Sequence, residues 1–153
     1  MSKQAVIDTN VLVAITDSHD KWHEKAMAIF DMVNTEGLQI VYFDCVLSET
    51  ISVMGRRAEE QKRSDQFPAL LDRLMEKIPV ENITWNSFNI RKNYLELTKL
   101  IRDYFGLLNF NDSLIAFSCR DLNIRLIISF DTDFDQIPWL QRISSPYDTR
   151  NTH

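Results

Sequence analysis

Short apolar runs that stop at an acid, set between longer stretches whose apolar residues recur every three or four positions, dominate the pattern of this chain. Residues 4–8, with Ala5, Val6 and Ile7, predict a short buried strand ending at Asp8, and residues 10–16 predict a short helix. Trp22, Ala26, Ile29, Phe30 and Val33 step at helical spacing, so a helix is expected over 21–34, with Asp20 as its N-cap and Gly37 as its stop. Residues 38–43 are β-like, and Asp44 can cap a helix running to about Arg57. Ser64 or Asp65 opens another helix reaching Lys77, while residues 78–85, with Pro79 and weak alternation, predict a short or edge strand. Ile90, Tyr94, Leu97, Ile101 and Tyr104 form one apolar stripe on a long helix that ends at Gly106; the stripe reads as core, with part of it free to serve a dimer interface. A helix from Asn111 or Asp112 to Asn123, an apolar strand over 126–130 and a short strand over 142–145 complete the chain. Helices interleaved with short apolar strands predict an α/β fold with a mainly parallel central sheet.

Such a sheet dictates where chemistry would sit. Parallel strands joined by crossover helices present their carboxyl ends along one edge, and ligands bind in the crevice there. Asp8 and Asp131 each follow an apolar strand and are expected to share that edge. Glu49 falls in the first turns of the helix after the second strand, and Asp112 opens a helix in Asn111-Asp112-Ser113. Taken singly, Asp112 and Asp44 suit a helix cap and Glu49 a solvated helix face. Asp8 is less easily set aside, because aspartate is poor in strands and this one follows three apolar residues. The set matters more than any member. Clustered carboxylates repel one another and hold protons unless a cation intervenes. Mg²⁺ or Mn²⁺ takes oxygen ligands and accepts one or two direct carboxylates, with others bonding its waters. One ion, or two about 3.5–4 Å apart, can polarise a phosphoryl oxygen and activate water, which implies phosphodiester hydrolysis.

Composition constrains the partners. The 153 residues carry 44% hydrophobic and 25% charged side chains, as a single folded unit with a proper core would, and only three glycines and four prolines interrupt them. The expected organisation is one domain over 1–145 and a flexible polar tail over 146–153. No apolar run approaches the ~20 residues needed to cross a bilayer. With no secretory leader visible at the N-terminus, a cytoplasmic location without membrane contact is expected. Seventeen basic residues against 22 acidic ones give a net charge of −5, so a polyanion would have to be gripped locally, through a metal or with a partner's help. Cys45 and Cys119 belong to no Cys-x-x-Cys pair and read as buried thiols.

Other constellations are weaker. Asp131, Asp133 and Asp135 alternate like the start of a calcium loop, yet the places that would need Gly and Glu hold Gln136 and Arg142. Asp8-Thr9-Asn10 resembles the phosphate-accepting strand end of haloacid-dehalogenase-like phosphatases but has Asn10 where a second Asp belongs. His19 and His23 lie four apart without a third ligand and read as structural or surface residues. Arg56, Arg57, Lys62 and Arg63 could position RNA phosphates, but Glu59 and Glu60 interrupt them and favour a solvated helical face.

The four acid contexts, taken in order, resemble the PIN-domain nucleases and especially their small VapC-like members. Val6-Ile7-Asp8-Thr9-Asn10-Val11-Leu12 looks like the opening motif, Val46-Leu47-Ser48-Glu49 the segment with the family's Glu, and Asn111-Asp112-Ser113-Leu114-Ile115-Ala116 the third motif. Ile128-Ser129-Phe130-Asp131-Thr132-Asp133-Phe134 looks like the last, and the likeness spans about residues 4–144. The resemblance implies a three-layer α/β/α sandwich and a Mg²⁺- or Mn²⁺-dependent endoribonuclease of toxin type, cutting RNA. It implies Asp8, Glu49, Asp112 and Asp131 as the catalytic, metal-binding acids, Asp133 as a further metal-side acid, and Thr9, Asn10 and Ser129 as supporting residues that orient carboxylates or water. It further implies a homodimer and an antitoxin partner. The alternative is a catalytically silent module of the same fold that binds RNA or protein. The charged segment over 56–66 lies outside the motifs.

Overall fold

The computed structural model describes residues 3–148. Five parallel strands, β1 (Gln4–Ile7), β2 (Gln39–Phe43), β3 (Ile83–Thr84), β4 (Leu126–Ile128) and β5 (Gln141–Ile143), lie in the order β3-β2-β1-β4-β5. The mainly parallel sheet of the sequence reading is thus wholly parallel. β1 and β4 are buried centrally, with Val6, Ile7, Ile127 and Ile128 at 0–1% exposure. They have no solvated face to place polar residues on, hence the unbroken apolar runs.

Six α-helices connect the strands: α1 (Thr9–Thr16), α2 (His23–Thr35), α3 (Asp44–Glu60), α4 (Phe67–Lys77), α5 (Ile90–Asp103) and α6 (Phe110–Asp121). α1 packs on α2, α3 and α4, whereas α5 packs on α6. From β1 the chain moves outward to β2 and β3, then returns across the sheet to β4, so right-handed crossovers place α1–α4 on one face and α5–α6 on the other. The result is the α/β/α sandwich. The strand order reverses between β1 and β4, and a crevice opens at the carboxyl ends of strands at such a point.

Local departures from the sequence reading have physical causes. Asp20 is not the cap of α2; its carboxylate accepts the Trp22 N–H and pairs with Arg57 at 2.7 Å, and α2 begins only at His23. Asp44 does not cap its own helix either; it is the first residue of α3 and accepts hydrogen bonds from Asn86 and Ser87 across the chain. α3 runs three residues past Arg57, and the helix expected from Ser64 or Asp65 starts as a 3₁₀ turn (Ser64–Gln66) before α4. On α5, Leu97 and Leu100 are buried while Tyr94 of the expected stripe stands 54% exposed. β4 stops at Ile128, β5 occupies 141–143 rather than 142–145, and the weak segment over 78–85 yields the two-residue edge strand β3. Of the tail expected over 146–153, residues 149–153 lie outside the described residues; before them, Asp148 accepts the backbone N–H groups of Ser144 and Ser145.

Gly37 does stop α2: its φ of +71° is the left-handed conformation that closes a helix, and the Leu38 N–H returns to the Val33 carbonyl at 3.0 Å. A Cβ there would touch nothing within 4 Å, so Gly37→Ala isolates backbone strain. It is expected to cost about 1 kcal/mol, read as a lowered urea midpoint with unchanged slope.

Candidate active site

Asp8 leaves β1 with its N–H still bonded to the Ile128 carbonyl of β4 at 2.9 Å, then turns the chain into α1 as that helix's N-cap. The residue is 5% exposed, and its carboxylate accepts two hydrogen bonds, from the Thr9 N–H at 2.8 Å and the Ser129 hydroxyl at 2.6 Å. Burial pushes its pKa up to about 6; the two hydrogen bonds oppose the rise, and the charges of Asp131 and Glu49 add to it.

Ser129 does more than hold Asp8. Its hydroxyl oxygen also accepts the Asp131 N–H at 3.0 Å, and Asp131 in turn accepts the Asp133 N–H as the cap of the 3₁₀ turn Thr132–Gln136. Asn10 accepts the Phe130 N–H at 3.2 Å, which fixes the same loop to the start of α1. Thr9 donates its hydroxyl to Glu49 Oε2 at 3.1 Å, tying α1 to α3. The three polar residues of the motifs therefore orient the acids or the loop that carries them.

Asp112 arrives from the opposite helical layer. It is the third residue of α6, whose cap is Asn109: the Asn109 side chain accepts the Asp112 N–H at 2.8 Å. Because the cap is Asn109, Asp112 is not spent on capping and its carboxylate stays free for other work. Burial drives its pKa up to about 7, with further repulsion from Asp8, Asp131, Glu49 and Asp133.

Asp8, Glu49, Asp112 and Asp131 thus line one recess of about 190 Å³, together with Thr9, Asn10, Arg56 and Arg57. Asp133 does not line it, though its charge reaches Asp112. Among the described residues no three acidic, histidine or cysteine side chains are arranged to hold an ion by direct bonds alone. The donor set still fits a hard cation of the Mg²⁺ type, which keeps several waters and needs only one or two direct carboxylates. Four acids in a recess that raises the pKa of two of them form an all-oxygen donor set short of positive charge.

Asn109 does not stand out in the sequence, and Arg56 and Arg57, for which the sequence favours a solvated helical face over a phosphate-positioning role, line the recess. The spacing of Asn109 three residues before Asp112 is a cap signal, and it outranks the Asn111 or Asp112 start. The basic segment divides: Arg63, away from the acid recess, pairs with Asp17 at 3.1 Å, whereas Arg56 and Arg57 line that recess, Arg57 while paired with Asp20 at 2.7 Å. His23 meets the Ala14 carbonyl and His19 lies beside Arg63, so the two do not converge. Cys45 and Cys119 are free, buried thiols, and burial holds both pKa values well above the ordinary thiol range.

Ser129→Ala removes one of the bonds that favour ionised Asp8 and releases the Asp131 loop. Loss of such a supporting residue is expected to cost roughly 10–100-fold in metal affinity or activity, measured by Mn²⁺ titration.

No curated protein sequence matches the chain. Among solved structures, VapBC2 of Rickettsia felis, bound to a DNA fragment from its promoter, superposes with a TM-score of 0.66 at 19% identity, covering 92% of this chain and 97% of that one. VapC20 of Mycobacterium tuberculosis, a Sarcin-Ricin loop cleaving toxin, gives 0.65 at 17% identity, covering 86% and 92%. Identity this low speaks for the fold alone. The sequence itself matches the PIN domain over residues 5–140, which takes in all four acids of the recess and nearly the whole chain. With that match, the chain belongs to the PIN-domain family.

Proposed function

We propose that this protein is a Mg²⁺- or Mn²⁺-dependent endoribonuclease of VapC type. The observation that carries the reading is the convergence of Asp8, Glu49, Asp112 and Asp131, from four separate segments, at the β1/β4 switch point. When bound, the cation supplies Lewis acidity for phosphodiester hydrolysis. The chain's own residues do the rest. Asp8 is locked in place by Thr9 and Ser129, and Glu49 by Thr9, so the acids are preorganised before any ligand arrives. Burial and the neighbouring acids push the Asp112 pKa up to about 7, so a cation held there would favour its ionised form. Arg56 and Arg57 line the recess, Arg57 paired with Asp20, and Arg56 is the cation placed to meet a phosphate there.

The solved relatives favour RNA over DNA as the substrate and an antitoxin as a partner, since one is a toxin cutting the sarcin-ricin loop and the other a VapBC complex. A homodimer is supported by apolar side chains left exposed on and around α5, with Leu95 79% and Phe88 73% exposed. No helix among the described residues is long and apolar enough to cross a membrane, and we place the activity in the cytoplasm.

The test is cleavage of an unstructured RNA with Mg²⁺ or Mn²⁺ against the same reaction with chelator, beside a small phosphomonoester. Metal-dependent cutting of the RNA alone is expected. Turnover of the phosphomonoester instead would assign a phosphatase, and activity undiminished by chelator would remove the cation from the reading.

A further inference from the structure

A second, larger recess of about 660 Å³ opens beside the acid site and shares Asn10, Arg57 and Asp131 with it. That volume lies within the ~300–1,000 Å³ of small-molecule sites. One wall is aromatic. The Trp22 ring, 46% exposed, lies 6.0 Å from the Phe130 ring, tilted by 43°. Phe130 immediately precedes Asp131, so the wall is covalently fixed next to an acid of the cleft. Lys25 holds its ammonium 5.3 Å from the Trp22 ring and 5.2 Å from the Phe130 ring, and Lys21 stands 5.5 Å from Trp22. Both lysines are exposed, and neither joins a salt bridge among the described residues. Of the three acids lining the recess, Asp17 is paired with Arg63 and Asp20 with Arg57, while Asp131 belongs to the acid site as well.

A half-exposed indole beside a partly buried phenyl ring, with cations over the rings that no carboxylate among the described residues neutralises, is a surface suited to single-stranded nucleic acid, because every base has a π-face and every linkage a negative charge. A chain with a net charge of −5 needs such a local grip. We propose that Trp22 and Phe130 form the stacking seat for an unpaired RNA nucleobase next to the cleaved linkage, with Lys21 and Lys25 meeting the phosphate beside it. This rests on the ribonuclease reading of the acid cleft. It makes the protein select unpaired RNA, since a base within a duplex cannot leave its own stack without losing it.

The test is equilibrium binding of a short unstructured oligoribonucleotide to the Asp8→Asn protein in Mn²⁺, compared with Trp22→Leu, Trp22→Phe and Lys25→Gln in the same background. Stacking predicts roughly 5- to 150-fold weaker binding for Trp22→Leu, with most of the loss restored by Trp22→Phe. Lys25→Gln is expected to flatten the salt dependence by about one phosphate contact, a slope change of ~0.7 for a single strand. A fully paired RNA should be indifferent to Trp22→Leu. Unchanged affinity in Trp22→Leu, or an equal loss on duplex RNA, would overturn the proposal and leave the wall to a protein segment. Absence of oligoribonucleotide binding to the parent would overturn it as well. These outcomes are separate from cleavage: a protein that cuts RNA but ignores Trp22→Leu refutes the seat alone, and one that binds through Trp22 without cutting refutes the nuclease reading alone.

Discussion

Asp8→Asn is expected to abolish metal-dependent RNA cleavage while making the metal-free protein harder to unfold. The loss should exceed the 10–100-fold typical of a supporting residue, because Asp8 is itself at the recess and meets Ser129 and Thr9 directly. The gain has a separate origin. Moving the Asp8 pKa from 3.8 to about 6 means that keeping this buried carboxylate ionised at neutral pH costs the fold at most about 3 kcal/mol, of which a neutral amide is free. The lost acceptor on the Ser129 side takes some of that back. At ~2–4 °C per kcal/mol for a chain of this size, a rise of several degrees in Tm with chelator present is expected. A variant that lost activity and stability together would show a merely damaged fold.

Metal and pH should act on stability in opposite senses. The carboxyls of Asp8 and Asp112 ionise near 6 and 7 in the folded protein, above the ordinary 3.8 that an unfolded chain would show. Between those limits the folded state binds more protons than the unfolded one, so the stability these two groups contribute is fully present below about pH 4 and lost as pH rises through about 7. On the proposed reading a cation reverses the balance, because each carboxylate that it binds must be deprotonated. Mn²⁺ is therefore expected to raise Tm little near pH 5 and strongly near pH 8, where a hundredfold excess over Kd contributes about 2.7 kcal/mol. Thermal melts over a grid of pH and Mn²⁺ would check this. A Tm gain that stayed constant across that range would mean that neither acid gives up a proton to the ion.

Three of the recess acids stand out in the sequence because they sit at an abrupt change of pattern; Glu49, inside α3, stands out only through the motif resemblance. Asp8 and Asp131 follow apolar runs, and the runs are apolar because β1 and β4 are buried in the middle of the sheet. Asp112 was legible as an acid opening a helix, but its freedom was not, since that depends on Asn109 supplying the cap. Long-range uses of short polar side chains were hidden for a similar reason. Asp44 satisfies the backbone of residues 86 and 87, and Asp20, in the turn before α2, holds Arg57 of α3. Local propensity sees only a good capping residue at both places, whereas tertiary contacts decide which N–H groups lack a partner. The aromatic wall escaped notice because Trp22 sits at helical spacing with apolar residues and Phe130 at the end of an apolar run; both patterns read as core.

The bridge from Ser129 to Asp8 spans 121 positions. Translation must therefore pass residue 131 before the last acid of the recess exists, and β4 must slide in beside β1 before the first acid finds its neighbours. Whatever chemistry the four acids perform together cannot begin during most of the protein's own synthesis.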